Sequence, residues 1–180
     1  ENSTRTRMSF ELAGKYLGAT VSNLGVSTSS VQKGETLLDT GKTLEAMGTD
    51  IVIIRHPLAG APKFLGDNFS GSVLNAGDGM HEHPTQGLLD MFTMKEKFGE
   101  LKGLNVTIIG DIMHSRVARS NIWGLTKLGA NVTICGMDTM MPCAIERTGV
   151  TVSNNLIESV KDADVVMALR IQKERQKGGL

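Results

Sequence analysis

Residues 51–54, 106–109, 132–135 and 165–169 form short runs of unbroken apolar character. Continuous runs, unlike alternating ones, predict strands buried on both faces, the signature of a parallel sheet. Residues 19–24 and 73–74 are weaker candidates of the same kind. Helical period fills the intervals. The segment 4–17 opens with hydroxyl caps and stops at Gly18, and 35–47 likewise ends at Gly48. In 84–98, Leu88, Met91, Met94 and Phe98 recur three or four apart, and Val117, Ile122, Leu125 and Leu128 mark the next helix. Strand and helix alternate throughout, which predicts an α/β protein with parallel sheets covered by helices. The short polar link Phe98-Gly99-Glu100-Leu101-Lys102-Gly103 places a seam between two domains, 1–98 and 101–180. No internal repeat is present.

Composition narrows the functional classes. Nineteen Lys plus Arg balance nineteen Asp plus Glu among 180 residues. Without net charge there is no global field to hold nucleic acid or an anionic membrane, so any anion site must come from local clustering. No apolar run approaches the roughly 18 residues of a membrane span, and the first residues lack a signal-peptide pattern, which makes the cytoplasm the expected compartment. Cys135 and Cys143 are too few for a disulfide scaffold or a zinc cage and read as free thiols. The 21 glycines imply many tight turns. The ten methionines fall at core-like spacings and read as packing.

In open α/β sheets ligands sit beyond the carboxyl ends of the strands, so the residues after each run carry the chemistry. These are Arg55 and His56, residues 75–78, Gly110 and Asp111, and Arg170 to Gln172. Two arginines with several hydrogen-bonding groups suit a small anion bearing more than one acidic group. Ser3-Thr4-Arg5-Thr6-Arg7 leads directly into a helix, where free N–H groups, the positive dipole end and hydroxyls suit a phosphate. A plain helix cap with exposed arginines is the competing reading. Residues 29–35, with Ser29 and Lys33, form a polar loop before a helix, anion-friendly or merely solvated. His83-Pro84-Thr85-Gln86 opens another helix and holds its imidazole at a rim. His81 stands near His83, but no third ligand is spaced to complete a metal site. The segment 110–116 lacks the later glycines of a dinucleotide turn, and no Walker lysine, nucleophile elbow or Cys/His pair appears. No covalent nucleophile and no cofactor is expected.

Taken in order, Ser3-Thr4-Arg5-Thr6-Arg7, the loop ending Lys33-Gly34-Glu35, Arg55-His56-Pro57, His83-Pro84-Thr85-Gln86, Arg116 and Arg170-Ile171-Gln172-Lys173-Glu174-Arg175 resemble the transcarbamoylases. Within that family the likeness is to the aspartate carbamoyltransferase catalytic chains, and it runs from the first residue to the last. The resemblance implies two parallel-sheet domains, the first binding carbamoyl phosphate and the second aspartate. It also implies that a helix before the phosphate loop and several elements after residue 172 are missing, leaving the second domain truncated.

The resemblance further implies a reaction and a set of roles. The carbamoyl group would pass from carbamoyl phosphate to the α-amino group of L-aspartate, a step of de novo pyrimidine (UMP) biosynthesis. Ser3, Thr4, Arg5 and Thr6 would hold the phosphate. Thr6, Arg55 and His83 would donate to the carbamoyl oxygen, with Arg5 and Lys33 completing the catalytic set. Gln86 would take the carbamoyl amino group. Arg116, Arg170, Gln172 and Lys33 would bind aspartate, arginine being suited to carboxylates by its planar fork. Ser29 and Lys33 would reach the adjacent subunit's site, making the working unit a homotrimer, and a regulatory chain or a dihydroorotase is a possible partner. Gln32 stands where some members carry a second lysine, leaving the loop less positive. The competing readings are an ornithine carbamoyltransferase, whose amino-acid side needs an acid and a cysteine motif not found here, and a non-catalytic carbamoyl phosphate-binding homologue.

Overall fold

The first helix, α1 (Thr4–Tyr16), starts where Ser3 caps it: the Ser3 hydroxyl oxygen accepts the backbone N–H of Thr6 at 3.2 Å. Such a cap stabilises a helix by about 1 kcal/mol. The computed structural model describes residues 3–25 and 34–171. They divide between Asp78 and Gly79 into two units, each with its own parallel sheet.

In the first unit α1 is followed by α2 (Leu37–Ala46), β1 (Ile51–His56), α3 (Ala61–Gly66) and β2 (Ser72–Asp78). A capping box between Thr36 and Asp39 starts α2. The Thr36 side chain, donating to the Asp39 carboxylate, holds that carboxyl below its usual range. Gly41 of α2 permits a close approach to α3, since a Cβ there would stand 2.5 Å from Leu65 Cδ1. Strands β1 and β2 pair in parallel, Ile51 opposite Ser72 through Ile54 opposite Asn75, with an irregularity before His56. The expectation that β1 is buried on both faces is corrected here. Ile51 and Ile53 are 55% and 40% exposed. Helix α3 covers the sheet from one side, so among the described residues the alternate positions stay at the surface.

Residues 19–24 are a second correction, because they form no strand. The Ala19 N–H donates to the Gly14 carbonyl, Val21 packs onto Gly14, and Asn23 donates to Glu11 at 2.6 Å. Folded back along α1, the segment sets Val21 against a helix instead of within a sheet.

Glu45 at the end of α2 ties two elements together, accepting from Lys42 Nζ at 2.8 Å and from the Ser70 backbone N–H at 2.7 Å. These donors, Lys42 first, lower its carboxyl from 4.5 to about 2. A carboxyl depressed by folding stabilises the protein above its unfolded value and loses that contribution as pH falls toward the folded one. Glu45→Gln is therefore expected to melt below the unsubstituted protein at pH 7. The gap should close between pH 4.5 and about 2. Melting curves over that range check it, and a gap that persists at pH 2 refutes the linkage.

The second unit runs α4 (Pro84–Phe98), β3 (Asn105–Ile109), α5 (Arg116–Lys127), β4 (Asn131–Cys135), two short 3₁₀ turns, β5 (Thr151–Ser153), α6 (Leu156–Lys161) and β6 (Val165–Ala168). Its sheet is all parallel, in the order β5-β4-β3-β6. Here burial on both faces holds at the centre, where Val106, Thr107 and Ile108 of β3 are all buried, but the expectation is corrected for 165–169: β6 is an edge strand and Val166 is 49% exposed. Met91 and Met94 of α4 join Val106, Ile108, Ile122, Leu125 and Ile134 in one core. The anticipated link after Phe98 exists as a turn with Gly99 and Gly103 in the left-handed region. Because α4 packs onto α5 and into this core, the division by packing falls before α4, at residue 78. Among the described residues no helix is long and apolar enough to cross a membrane.

Chain order along this sheet reverses beside β3: β4 and β5 follow on one side, β6 on the other. A crevice opens at such a switch point, beyond the carboxyl ends of β3 and β6. Gly110 ends β3 with φ +125°, and a Cβ there would lie 3.1 Å from the Leu169 carbonyl oxygen. Glycine is needed to bring the two strand ends that close.

Candidate functional site

The first unit gathers Ser3, Thr4, Arg5, Thr6 and Arg55. The four N-terminal residues stand at the start of α1, where N–H groups lack helical partners. Arg55 lies at the carboxyl end of β1. Thr6 Oγ1 accepts from Ser3 Oγ at 2.9 Å and from Arg55 Nη1 at 3.4 Å, so a helix start and a strand end 49 positions apart converge on one hydroxyl. Thr4 and Arg5 are exposed; Ser3, Thr6 and Arg55 are half-buried. Guanidinium, hydroxyls and a helix N-terminus together make a cradle whose chemistry suits an oxyanion. Residues 75–78, expected beyond the strand, are instead the last four of β2 and hold the connection into α3: buried Asp78 accepts from the Gly60 N–H at 2.7 Å and from Asn75 Nδ2 at 3.0 Å.

The second unit gathers His83, Gln86 and Arg116 at the starts of α4 and α5. His83 is the N-cap of α4, with proline following it. Its backbone N–H donates to Ser120 Oγ at 2.9 Å, and Ser120 in turn donates to Glu82 Oε2. The ring Nδ1 lies 3.4 Å from Thr85 Oγ1. Gln86 Nε2 donates to Asp90 Oδ1 at 2.8 Å. Arg116 opens α5 behind its cap Ser115 and is only 3% exposed, with Nη1 donating to the Gly79 carbonyl at 3.0 Å.

Asp111 holds the turn leading to Arg116. Fully buried, it accepts the His114 backbone N–H at 3.2 Å and the His114 ring Nδ1 at 2.9 Å. A carboxylate only accepts, so the proton resides on Nδ1. The segment that superficially suggested a dinucleotide turn is thus a carboxylate-locked turn delivering an arginine.

Arg170 follows β6, exposed, at the switch-point end of the sheet. Ser29, Lys33 and Gln172 lie outside the described residues. His81 and His83 acquire no partners for a metal: among the described residues no group of three or more His, Cys, Asp or Glu could hold one. Cys135 is buried, Cys143 exposed, and both are free. Four residues of the site escaped the sequence reading: Glu82, Asp90, Ser120 and Asn121. The four-residue spacing of Gln86 and Asp90 along a helix was the one available signal; the α5 partners are reached only through tertiary packing.

Two α/β units, each presenting cationic and hydroxyl groups at helix starts and strand ends, have the chemistry that suits small anions. Residues 1–96 match the family described as "Aspartate/ornithine carbamoyltransferase, carbamoyl-P binding domain". The chain belongs to that family. Along all 180 residues it is 66% identical to the aspartate carbamoyltransferase catalytic subunit of Ruminiclostridium cellulolyticum and 65% identical to that of Acetivibrio thermocellus. It spans 58% of the length of each. Among solved structures it resembles aspartate transcarbamoylase from Trypanosoma cruzi in complex with aspartate and phosphate, at 34% identity and a TM-score of 0.87, covering 98% of this chain and 61% of that one. The same enzyme in complex with carbamoyl phosphate gives 34% and 0.86, covering 99% and 59%. The resemblance read from the ordered motifs is borne out, as is the α/β fold of helix-covered parallel sheets.

Proposed function

We propose that the protein transfers the carbamoyl group of carbamoyl phosphate to the α-amino group of L-aspartate, giving N-carbamoyl-L-aspartate and phosphate, in pyrimidine biosynthesis. The observation that carries the reading is the convergence of Ser3 and Arg55 on the Thr6 hydroxyl at the free start of α1. That cradle suits a phosphoryl group, and Arg55 and Thr6 can then donate to the adjoining carbamoyl oxygen. The amine nitrogen attacks the carbonyl carbon, charge collects on its oxygen, and the bond to the phosphate oxygen breaks. Donors preorganised at that oxygen lower the barrier without a protein nucleophile. Arg5 adds charge to the phosphate, His83 a further donor to the oxygen, and Gln86 an acceptor for the carbamoyl amino group.

Arg116, Arg170, Gln172 and Lys33 take the aspartate carboxylates in this reading. Residues 1–98 serve the phosphorylated donor and 101–180 begin the aspartate-binding domain. Ser29 and Lys33 act in a neighbouring subunit of a cytoplasmic homotrimer, to which a regulatory chain or dihydroorotase can attach. The full-length protein, supplied with both substrates, should form carbamoyl aspartate. Product with ornithine and none with aspartate refutes the assignment.

Arg170→Ala separates the two substrates. Losing one charged hydrogen-bonding partner of a carboxylate is worth roughly 1.5–3 kcal/mol, about 10- to 150-fold. The KM for aspartate is expected to rise by that factor with carbamoyl phosphate nearly unaffected. Steady-state kinetics with each substrate varied in turn decides, and equal losses for both count against Arg170 as an aspartate ligand.

A further inference from the structure

We propose that Asp90 is a positioning residue that sets which face of the Gln86 amide meets the substrate, turning its carbonyl oxygen, and not its NH2, toward the amino group of a carbamoyl donor. The nature of that donor rests on the carbamoyl-transfer reading above. Gln86 and Asp90 lie one turn apart on α4, and Gln86 Nε2 donates to Asp90 Oδ1 at 2.8 Å. The other carboxylate oxygen accepts from Asn121 Nδ2 of α5 at 2.7 Å, and the same Asn121 nitrogen donates to the Val117 carbonyl at 3.1 Å. Asp90 is thereby held between two helices.

A glutamine amide has two nearly isosteric orientations that differ in whether a donor or an acceptor faces outward. A carboxylate accepts only. Facing Asp90, Gln86 must therefore spend its NH2 inward, which leaves the carbonyl oxygen on the branch turned from Asp90. A carbamoyl NH2 is a donor group, its nitrogen lone pair delocalised into the carbonyl, so it needs an acceptor. The reversed amide would set hydrogens against hydrogens.

Asn121 shows that this arrangement is maintained against local preference. Its side chain is 0% exposed, and its Oδ1 is buried with no hydrogen-bond partner. An orphaned buried acceptor is unfavourable, and an apolar side chain of similar volume would avoid it. What the asparagine supplies in return is the donor to Asp90. The two amides on one carboxylate thus do more than join α4 to α5.

The test uses the full-length protein. Asp90→Asn keeps the size of the side chain, and its oxygen can still accept from Asn121; the introduced NH2 then faces Gln86 and draws the Gln86 oxygen inward. The kcat/KM for carbamoyl phosphate is expected to fall about 10- to 100-fold, with the KM for aspartate unchanged. Gln86→Glu alone opposes two carboxylates and should lose a similar factor. The double variant Gln86→Glu, Asp90→Asn restores a donor facing an acceptor and an acceptor facing the substrate. It is expected to recover at least tenfold over either single change, an outcome a merely structural role does not produce. Asn121→Leu, read beside its melting temperature, is a separate arm that removes the second anchor of Asp90, with a severalfold fall in the same parameter expected. Wild-type rates in folded Asp90→Asn or Asn121→Leu, or additive losses in the double variant, overturn the role of Asp90 alone. A wild-type protein that makes no carbamoyl aspartate overturns the carbamoyl-transfer reading and this assignment with it.

Discussion

Arg55→Ala is expected to lower kcat by about 100- to 1000-fold, the range seen when one donor to a developing oxyanion is removed. The position of the residue sets the size of the effect. Arg55 ends β1 and reaches the Thr6 hydroxyl at 3.4 Å, so its guanidinium lies where the start of α1 offers its free N–H groups. Water entering in its place is not preorganised and must reorient as charge builds. The KM for aspartate should change little, because the reading gives Arg55 no carboxylate to hold. Arg55→Lys keeps the charge without the planar fork and should fall between the two. Rate measurements at saturating substrates, with circular dichroism to confirm folding, check the series. A kcat for Arg55→Ala within threefold of the parent removes Arg55 from the mechanism.

A mixture of Lys33→Ala and Arg55→Ala chains should regain activity that neither possesses alone. If Lys33 serves the neighbouring subunit, a site works when one chain supplies Arg55 and the next supplies Lys33. In a cyclic trimer holding both kinds of chain, one of its three interfaces meets that condition, whichever chain is in the minority. Random reassembly of equal amounts makes about three-quarters of the trimers mixed, so roughly a quarter of parental activity should return. Each parent starts from a loss of two or more orders of magnitude, so the rise is large. Mixed trimers verified by native mass measurement and still inactive would show that the sites are not shared.

Much of the fold was legible because the strongest signals are local. Gly18 and Gly48 stop helices by adopting positive φ, and Pro84 following His83 starts α4 where the chain predicts. The runs at 106–109 and 132–135 became β3 and β4, the two central strands, where most positions are buried. Helices α3 and α6 and strand β5 escaped notice because six, six and three residues are too short to show a period. Residues 19–24 were misread for a related reason. A short apolar stretch reads alike whether it pairs in a sheet or folds onto a helix, and the hydrogen bond from Ala19 to Gly14 decided between them. The position of α4 was equally ambiguous. Its apolar stripe specifies a helix with one buried side, and only packing showed that Met91 and Met94 enter the core of the second unit.

The sequence by itself determined the α/β alternation, the hydroxyl-rich helix start at Ser3 to Thr6, the arginine at the carboxyl end of β1 and the histidine capping α4. Each of these depends on residues adjacent in the chain, or on a period of two to four, where backbone geometry leaves few alternatives. Tertiary structure alone decided that Arg55 meets Thr6 across 49 positions, that Ser120 holds His83 across 37, and that Asn121 and Gln86 share Asp90. Contacts of that kind form because strand pairing and core packing bring distant segments together, and no local pattern encodes which polar groups then find one another.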